Sequence, residues 1–216
     1  NKNLWLTVRG NFTYATSKYT KYEEPAYEDT PWLRKTGRKL SQQEGYIAER
    51  LFIDEEDVKN SPKQTFGGQP VMAGDIKYKD QNGDNRIDSE DRVAIGKSTA
   101  VPEMVYGLNL GFEYRGIGID MVFNGISGLT KQLNVANVHR PLRNGNTNIA
   151  TWYLKDKVRW TEQTKDIANL PRLSTLSNEN NYQASTQWIA DGSFFKLRTL
   201  NVHYTLPQKW SQKMKM

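Results

Sequence analysis

The sequence predicts an all-β chain: about four antiparallel strands that form part of a transmembrane β-barrel, with long extracellular loops containing short helices. Three observations predict it. Four runs alternate apolar and polar residues with period two, so that each has one apolar and one polar face. Each run is about nine to eleven residues long, the length that crosses a bilayer at a tilt. The connections between the runs alternate between very long and very short, as in barrels whose loops are long on one side of the membrane only.

The first strand is expected near residues 4–15. Leu4, Leu6, Val8, Gly10, Phe12 and Tyr14 share one parity, and Thr7, Arg9, Asn11 and Thr13 the other, with Trp5 the one large apolar intruder on the polar side. Residues 105–114 repeat the pattern, Tyr106, Leu108, Leu110, Phe112 and Tyr114 alternating with Gly107, Asn109, Gly111 and Glu113. After Arg115-Gly116 it returns over 117–127, where Ile117, Ile119, Met121 and Phe123 alternate with Gly118, Asp120, Val122 and Asn124, so these two runs form a hairpin. In the fourth run, 193–207, Leu200, Val202, Tyr204 and Leu206 share a parity, but Phe195 and Leu197 are out of phase with them. That slip predicts a bulge or a register change near Arg198-Thr199, and Pro207 ends the run.

The connections spanning 17–104 and 128–192 far exceed the usual length of about 4 to 6 residues. Short helices are expected in them at Ser41–Arg50 and Ile149–Trp160, and Asp54-Glu55-Glu56-Asp57 reads as the acidic first turn of another. If Arg115-Gly116 is periplasmic, both long connections fall outside the cell. A soluble sandwich is the other architecture that buries one strand face. The barrel is favoured by strand length, by polar second faces suited to a wet interior, and by aromatics at the strand ends. Tyr14 and Tyr106 would lie at one level and Trp5, Tyr114 and Tyr204 at the other, as in interfacial girdles. Four strands cannot close a barrel, so the chain is expected to be part of something larger or a fragment dominated by its loops.

Composition removes other classes. Only 37% of the 216 residues are hydrophobic and the mean hydropathy is -0.77, which excludes helical membrane spans. There is no cysteine, so disulfide scaffolds, cysteine-ligated zinc and thiol nucleophiles are excluded. No charged, apolar and small-residue leader opens the chain, so an export signal is expected outside it. The net charge of +6 is divided between regions and accompanies no nucleic-acid-binding pattern, so no nucleic-acid partner is expected.

The clearest local motif runs from Asp80 to Asp91. As a twelve-residue calcium loop it offers oxygen ligands from Asp80, Asn82, Asp84, Asp88 and Asp91 and the backbone carbonyl of Arg86, with Ile87 as apolar anchor. Asn85 stands where such loops place glycine, and Asp91 where they place a longer glutamate. Carboxylates crowded in this way favour a structural calcium ion; the plain alternative is a solvated turn. Ile76–Lys79 reads as extended, which argues against an EF-hand helix pair. His139 and His203 have no ligand-spaced neighbours in sequence, and the tryptophans are more often packing than sugar-stacking residues. No catalytic motif stands out, and no enzyme is expected.

Gly74-Asp75-Ile76-Lys77-Tyr78-Lys79-Asp80-Gln81-Asn82-Gly83-Asp84, continuing through Ile87-Asp88 and Asp91-Arg92 to Ile95-Gly96, resembles the GDIKYKDxNGDGxIDxxDRxxIG block of the SusC/RagA family of TonB-linked outer-membrane proteins. Tyr106–Gly111 is similar to the strand that follows this block. Tyr182–Thr186, Trp188, Asp191–Arg198 and Tyr204–Pro207 are similar to the family's C-terminal strand region. Asn85-Arg86 departs from the block. The resemblance implies an about 22-stranded barrel with an N-terminal plug. It also implies a SusD-like surface lipoprotein as partner, TonB as the driver, and import of oligosaccharides or peptides across the outer membrane of Bacteroidetes. This chain would supply late barrel strands facing outer-membrane lipid, and it would lack the plug and the TonB-contacting segment. Two further readings are a secreted calcium-stabilised carbohydrate-binding β-module and a glycoside hydrolase. The latter needs facing carboxylates about 5 to 9.5 Å apart, and no such pair can be nominated.

Overall fold

The computed structural model describes residues 4–133, 151, 155, 158–176 and 178–213. The chain forms two compact units, one built from residues 1–16, 100–129 and 191–216, the other from 17–99 and 130–190.

The first unit is a four-stranded antiparallel sheet of β1 (Leu4–Tyr14), β2 (Met104–Tyr114), β3 (Ile117–Ser127) and β4 (Phe194–Tyr204), in spatial order β1-β2-β3-β4. Registry puts the alternating apolar residues on common rungs. Leu6 lies opposite Phe112, which lies opposite Ile119, which lies opposite Val202; Val8, Leu110, Met121 and Leu200 form the next rung. Gly10, Leu108, Phe123 and Leu197 form another, so one face of the sheet is apolar from edge to edge.

The phase slip in β4 is a bulge. Thr199 pairs with Val122 and Leu197 with Phe123, which leaves Arg198 as an extra residue. The insertion brings Phe195 and Leu197 onto the same face as Leu200, Val202 and Tyr204, so the apolar face is continuous although the sequence pattern is broken. Arg115 (φ 50°) and Gly116 (φ 87°) are both left-handed, as a two-residue hairpin turn matched to strand twist requires. The guanidinium of Arg115 lies 5.1 Å from the centre of the Tyr114 ring. A short helix, Gln208–Lys213, follows Pro207 and has no counterpart in the sequence expectations.

The second unit contains short two- and three-stranded pieces around a buried core of Tyr46, Ile76, Tyr78, Ile87, Leu170 and Trp188. The helix expected over Ser41–Arg50 is not formed. Gln43–Gly45 and Ala48–Leu51 are instead short strands, paired with Val93–Gly96 and Ile76–Tyr78. Gly45 lies so close to the Ala184 carbonyl that a Cβ would collide with it, and Tyr46 is buried, so tertiary packing overrides the helix-forming Gln, Glu and Ala. The acidic turn does begin a helix, Glu55–Lys59, where the side chain of Asp54 accepts a hydrogen bond from the Asp57 amide. The helix expected over Ile149–Trp160 lies mostly outside the described residues. Where it is described, Arg159 instead forms a parallel bridge to Leu170.

Candidate functional site

The apolar face of the sheet has no cover from its own unit. Leu6 is 71% exposed, Phe12 65% and Val202 63%, a contiguous patch of the kind that marks contact with lipid or another protein. Eleven-residue strands rise about 33 Å, and at a tilt of about 40° cross about 25 Å, the height of the apolar band of an outer-membrane barrel. At the end of the sheet away from the hairpin turn, the Phe195 ring stacks between Phe123 (5.5 Å) and Tyr106 (6.0 Å). The Tyr106 ring lies over Gly125, where a Cβ would run into it. Tyr114 and Tyr204 lie on one rung at the turn end.

The opposite face is polar and organised by glycines. Asn11 covers Gly107, and the His203 imidazole covers Gly118. His203 Nδ1 lies 3.7 Å from Asp120 Oδ2, a pairing that is invisible in sequence because it depends on the register of β3 against β4. Toward the other end, Asn11, Asn109, Asn124, Phe194, Lys196 and Arg198 line a concavity of about 470 Å³. His139 lies outside the described residues.

The acidic loop is closed by its own hydrogen bonds. Asp80 accepts from the Gly83 and Asn85 amides (2.6 and 2.8 Å), Asn82 from Asp84, Asp84 from Arg86, and Asp88 from Glu90. Asn85 adopts the left-handed conformation (φ 63°) that its position demands, and Ile87 is buried in the core of the unit. Asp91 closes the loop from its far end. It is buried, and its two oxygens accept from the Gln81 amide at 2.7 Å and the Asp88 amide at 2.8 Å. Among the described residues, no three His, Cys, Asp or Glu side chains converge as a metal cage. Each side-chain oxygen that accepts one of these bonds, in Asp80, Asn82, Asp84, Asp88 and Asp91 alike, retains a second lone pair. Outside the loop, Trp32 Nε1 donates to the Glu90 carbonyl at 2.7 Å.

A buried polar network, absent from the sequence expectations, joins the two long connections. Asp75, 1% exposed, pairs with Arg172 (Nε to Oδ1, 2.8 Å) and accepts from Asn178, Asn181 and the Met72 amide, each at 2.9 Å. The Ile76 peptide is clamped by Asn180, Asn181 and Gln64. The Tyr78 hydroxyl donates to the Asn180 carbonyl, and Trp188 Nε1 donates to the Asn181 carbonyl, both at 2.6 Å. Burial pushes the Tyr78 phenol well up, and that of Tyr46 in the same direction. Nearby, Asp57 is hydrogen-bonded by the Arg50 guanidinium, which holds its carboxyl down at about 2. Trp160 packs over Gly74, and Trp152 lies outside the described residues.

No family model matches the chain. The chain is similar to TonB-dependent receptor P26 of Formosa agariphila, 26% identical over 140 residues, which cover 64% of this chain and 13% of that receptor. Its fold is similar to a chain in the structure of the RagAB peptide importer in the closed-closed state, with a TM-score of 0.51 and 18% identity over 98% of this chain and 22% of that one. The resemblance of the motifs is therefore matched in sequence by a TonB-dependent receptor and in fold by a chain of the RagAB structure. The chain is similar to a small part of a TonB-dependent receptor, its strands are those of an outer-membrane β-barrel wall, and its location is the outer membrane.

Proposed function

We propose that this chain supplies wall strands and extracellular loops of a TonB-dependent transporter that imports glycans or peptides together with a SusD-like surface lipoprotein. The observation that carries the reading is the sheet itself, with an unbroken apolar face left uncovered by its own unit and a polar face lined by amides and charges. Both long connections leave the end of the sheet opposite the Arg115-Gly116 turn, which supports placing them on one side of the membrane. The likeness to a peptide importer supports transport, and the consolidation of the connections into one folded unit supports a surface that a partner could engage. TonB would act on a part of the receptor outside this chain. A secreted carbohydrate-binding module is not favoured, because its sheet would expose Leu6, Phe12 and Val202 to water.

Replacing residues 17–104 in the intact receptor by a short turn is expected to abolish copurification of the lipoprotein and uptake of the cargo. Retention of both would refute the role of the loops. We also propose a calcium ion as a staple on Asp80, Asn82, Asp84, the Arg86 carbonyl, Asp88 and Asp91; the sequence spacing of these residues supports it, and Asp91 also fastens the loop through the Gln81 and Asp88 amides.

A further inference from the structure

We infer that the polar face of this wall carries a subsite for a carboxylate-bearing cargo, formed by Arg9, Lys196 and Arg198 with the amides of Asn11, Asn109 and Asn124. The inference rests on the transporter reading above and gives that transporter's cargo a charge.

Sheet registry brings these groups together from every strand. Asn11 lies opposite Gly107, which lies opposite Asn124, which lies opposite Lys196. One rung toward the turn, Arg9 lies opposite Asn109 and Asn109 opposite Val122, beside the bulge. Five of the six line the concavity, and Arg9 adjoins it through Asn109. The bulge has a chemical consequence beyond restoring the apolar phase. It places Arg198 on the polar face together with Thr199, where a regular strand would show one side chain, so an additional guanidinium reaches the concavity.

Among the described residues, none of Arg9, Lys196 and Arg198 lies within ion-pair distance of a carboxylate. The acids of this face, Glu113 and Asp120, lie on rungs nearer the turn, and Asp120 faces His203. The ammonium of Lys196 is held instead over the Phe194 ring, 5.1 Å from its centre. Like charges gathered on one wall without partners repel one another, and an anion that enters relieves the repulsion. Guanidinium forks and an ammonium bind anions, and the carboxylate is the anion that acidic sugars and acidic peptides have in common, while primary amides bond the hydroxyls of a sugar or the amides of a peptide. An acidic oligosaccharide and an acidic peptide share this chemistry.

The test uses the full-length receptor in detergent and calorimetric titration with four probes: trigalacturonic acid, its methyl ester, triglutamate and triglutamine. At least one acidic probe is expected to bind roughly tenfold or more tightly than its neutral counterpart, the effect of one charge-assisted hydrogen bond. The double variant K196Q/R198Q, and separately R9Q, are expected to lose most of that preference, and heat-modifiable gel migration shows that each variant is folded. The pair that discriminates tells a sugar from a peptide. Equal binding of acidic and neutral probes, absence of acidic binding at millimolar concentration, or a preference that survives in both variants overturns the subsite. So does a result in which K196Q/R198Q exposes the receptor's plug to protease while acidic probes fail to bind, because the cations then serve the plug. A receptor that still supports TonB-dependent uptake in any of those cases leaves the transporter reading standing, whereas recovery of the receptor from the aqueous fraction fells both.

Discussion

Replacing Val8 by arginine and, separately, its neighbour Thr7 by arginine tests which face of the sheet meets lipid. Val8 lies on the rung of Leu110, Met121 and Leu200, with the Leu6 and Leu4 rungs on one side and the Gly10 and Phe12 rungs on the other. Two rungs correspond to about 13 Å along the strand, or about 10 Å of depth at a 40° tilt, so Val8 falls near the bilayer midplane. An arginine on the lipid side at that depth costs about 2–4 kcal/mol, which is about thirtyfold to several hundredfold in the folding equilibrium. Thr7 points to the polar face beside Gly111 and near Asp120, where an arginine side chain meets water and a carboxylate, and its cost is expected to stay within about 0.5 kcal/mol. The assay is refolding of the intact receptor into lipid vesicles across a urea series, with the folded fraction read from heat-modifiable gel migration. Equal costs for the two variants, or a larger cost for Thr7→Arg, would refute the assignment of faces.

Gly125→Val forces its new side chain into the Tyr106 ring and against the Phe194 carbonyl oxygen, which would lie 2.8 Å from the added Cβ, and is expected to destabilise the barrel by about 1–3 kcal/mol in the same urea assay. Asp75→Asn removes the charge opposite Arg172 and is expected to cost about 3–5 kcal/mol locally, seen as faster hydrogen exchange at the amides of Ile76 and Asn181. The Asp57 carboxyl is held at about 2 by Arg50, below its ordinary 3.8, so its contribution is complete above about pH 4 and lost as pH falls through 2. Protection of the Glu55–Lys59 amides relative to their intrinsic exchange rates should therefore fall between pH 4 and 2 in the parent and change much less in Arg50→Gln. Calorimetric titration of the decalcified receptor should show calcium binding that Asp84→Asn weakens; no heat up to millimolar calcium would dismiss the ion and leave the hydrogen bonds of the loop as its only fastening.

The sheet was legible because period-two alternation is a local signal and each strand carries it alone. Even the irregular strand could be read, since Phe195 and Leu197 can share a face with Leu200 only if one residue is extruded between them, and that residue is Arg198. The long connections were not legible in the same way. Gln43–Gly45 and Ala48–Leu51 become strands through partners at residues 76–78 and 93–96, and the local helix-forming composition of 41–50 carries no trace of those partners. The acidic loop lies between these extremes. Its left-handed Asn85 and buried Ile87 follow from spacing, whereas the use of Asp91 as an amide acceptor depends on the short helical turn Ser89–Asp91 that the spacing does not specify.

The motif residues of the loop unit are largely its interior. Asp75, Ile76 and Tyr78 from one connection meet Asn180, Asn181, Ser185 and Trp188 from the other, and all of them are buried. Groups so enclosed are out of reach of a ligand in solution; they fasten two segments about a hundred residues apart, with hydrogen bonds that are costly to leave unmade. Substitutions confined to this set should therefore change how firmly the connections are held together without changing which cargo is chosen. On the proposed transport function, selectivity rests with side chains that reach solvent, among them the amides and cations of the polar face, where registry and one extruded arginine decide what charge the wall presents.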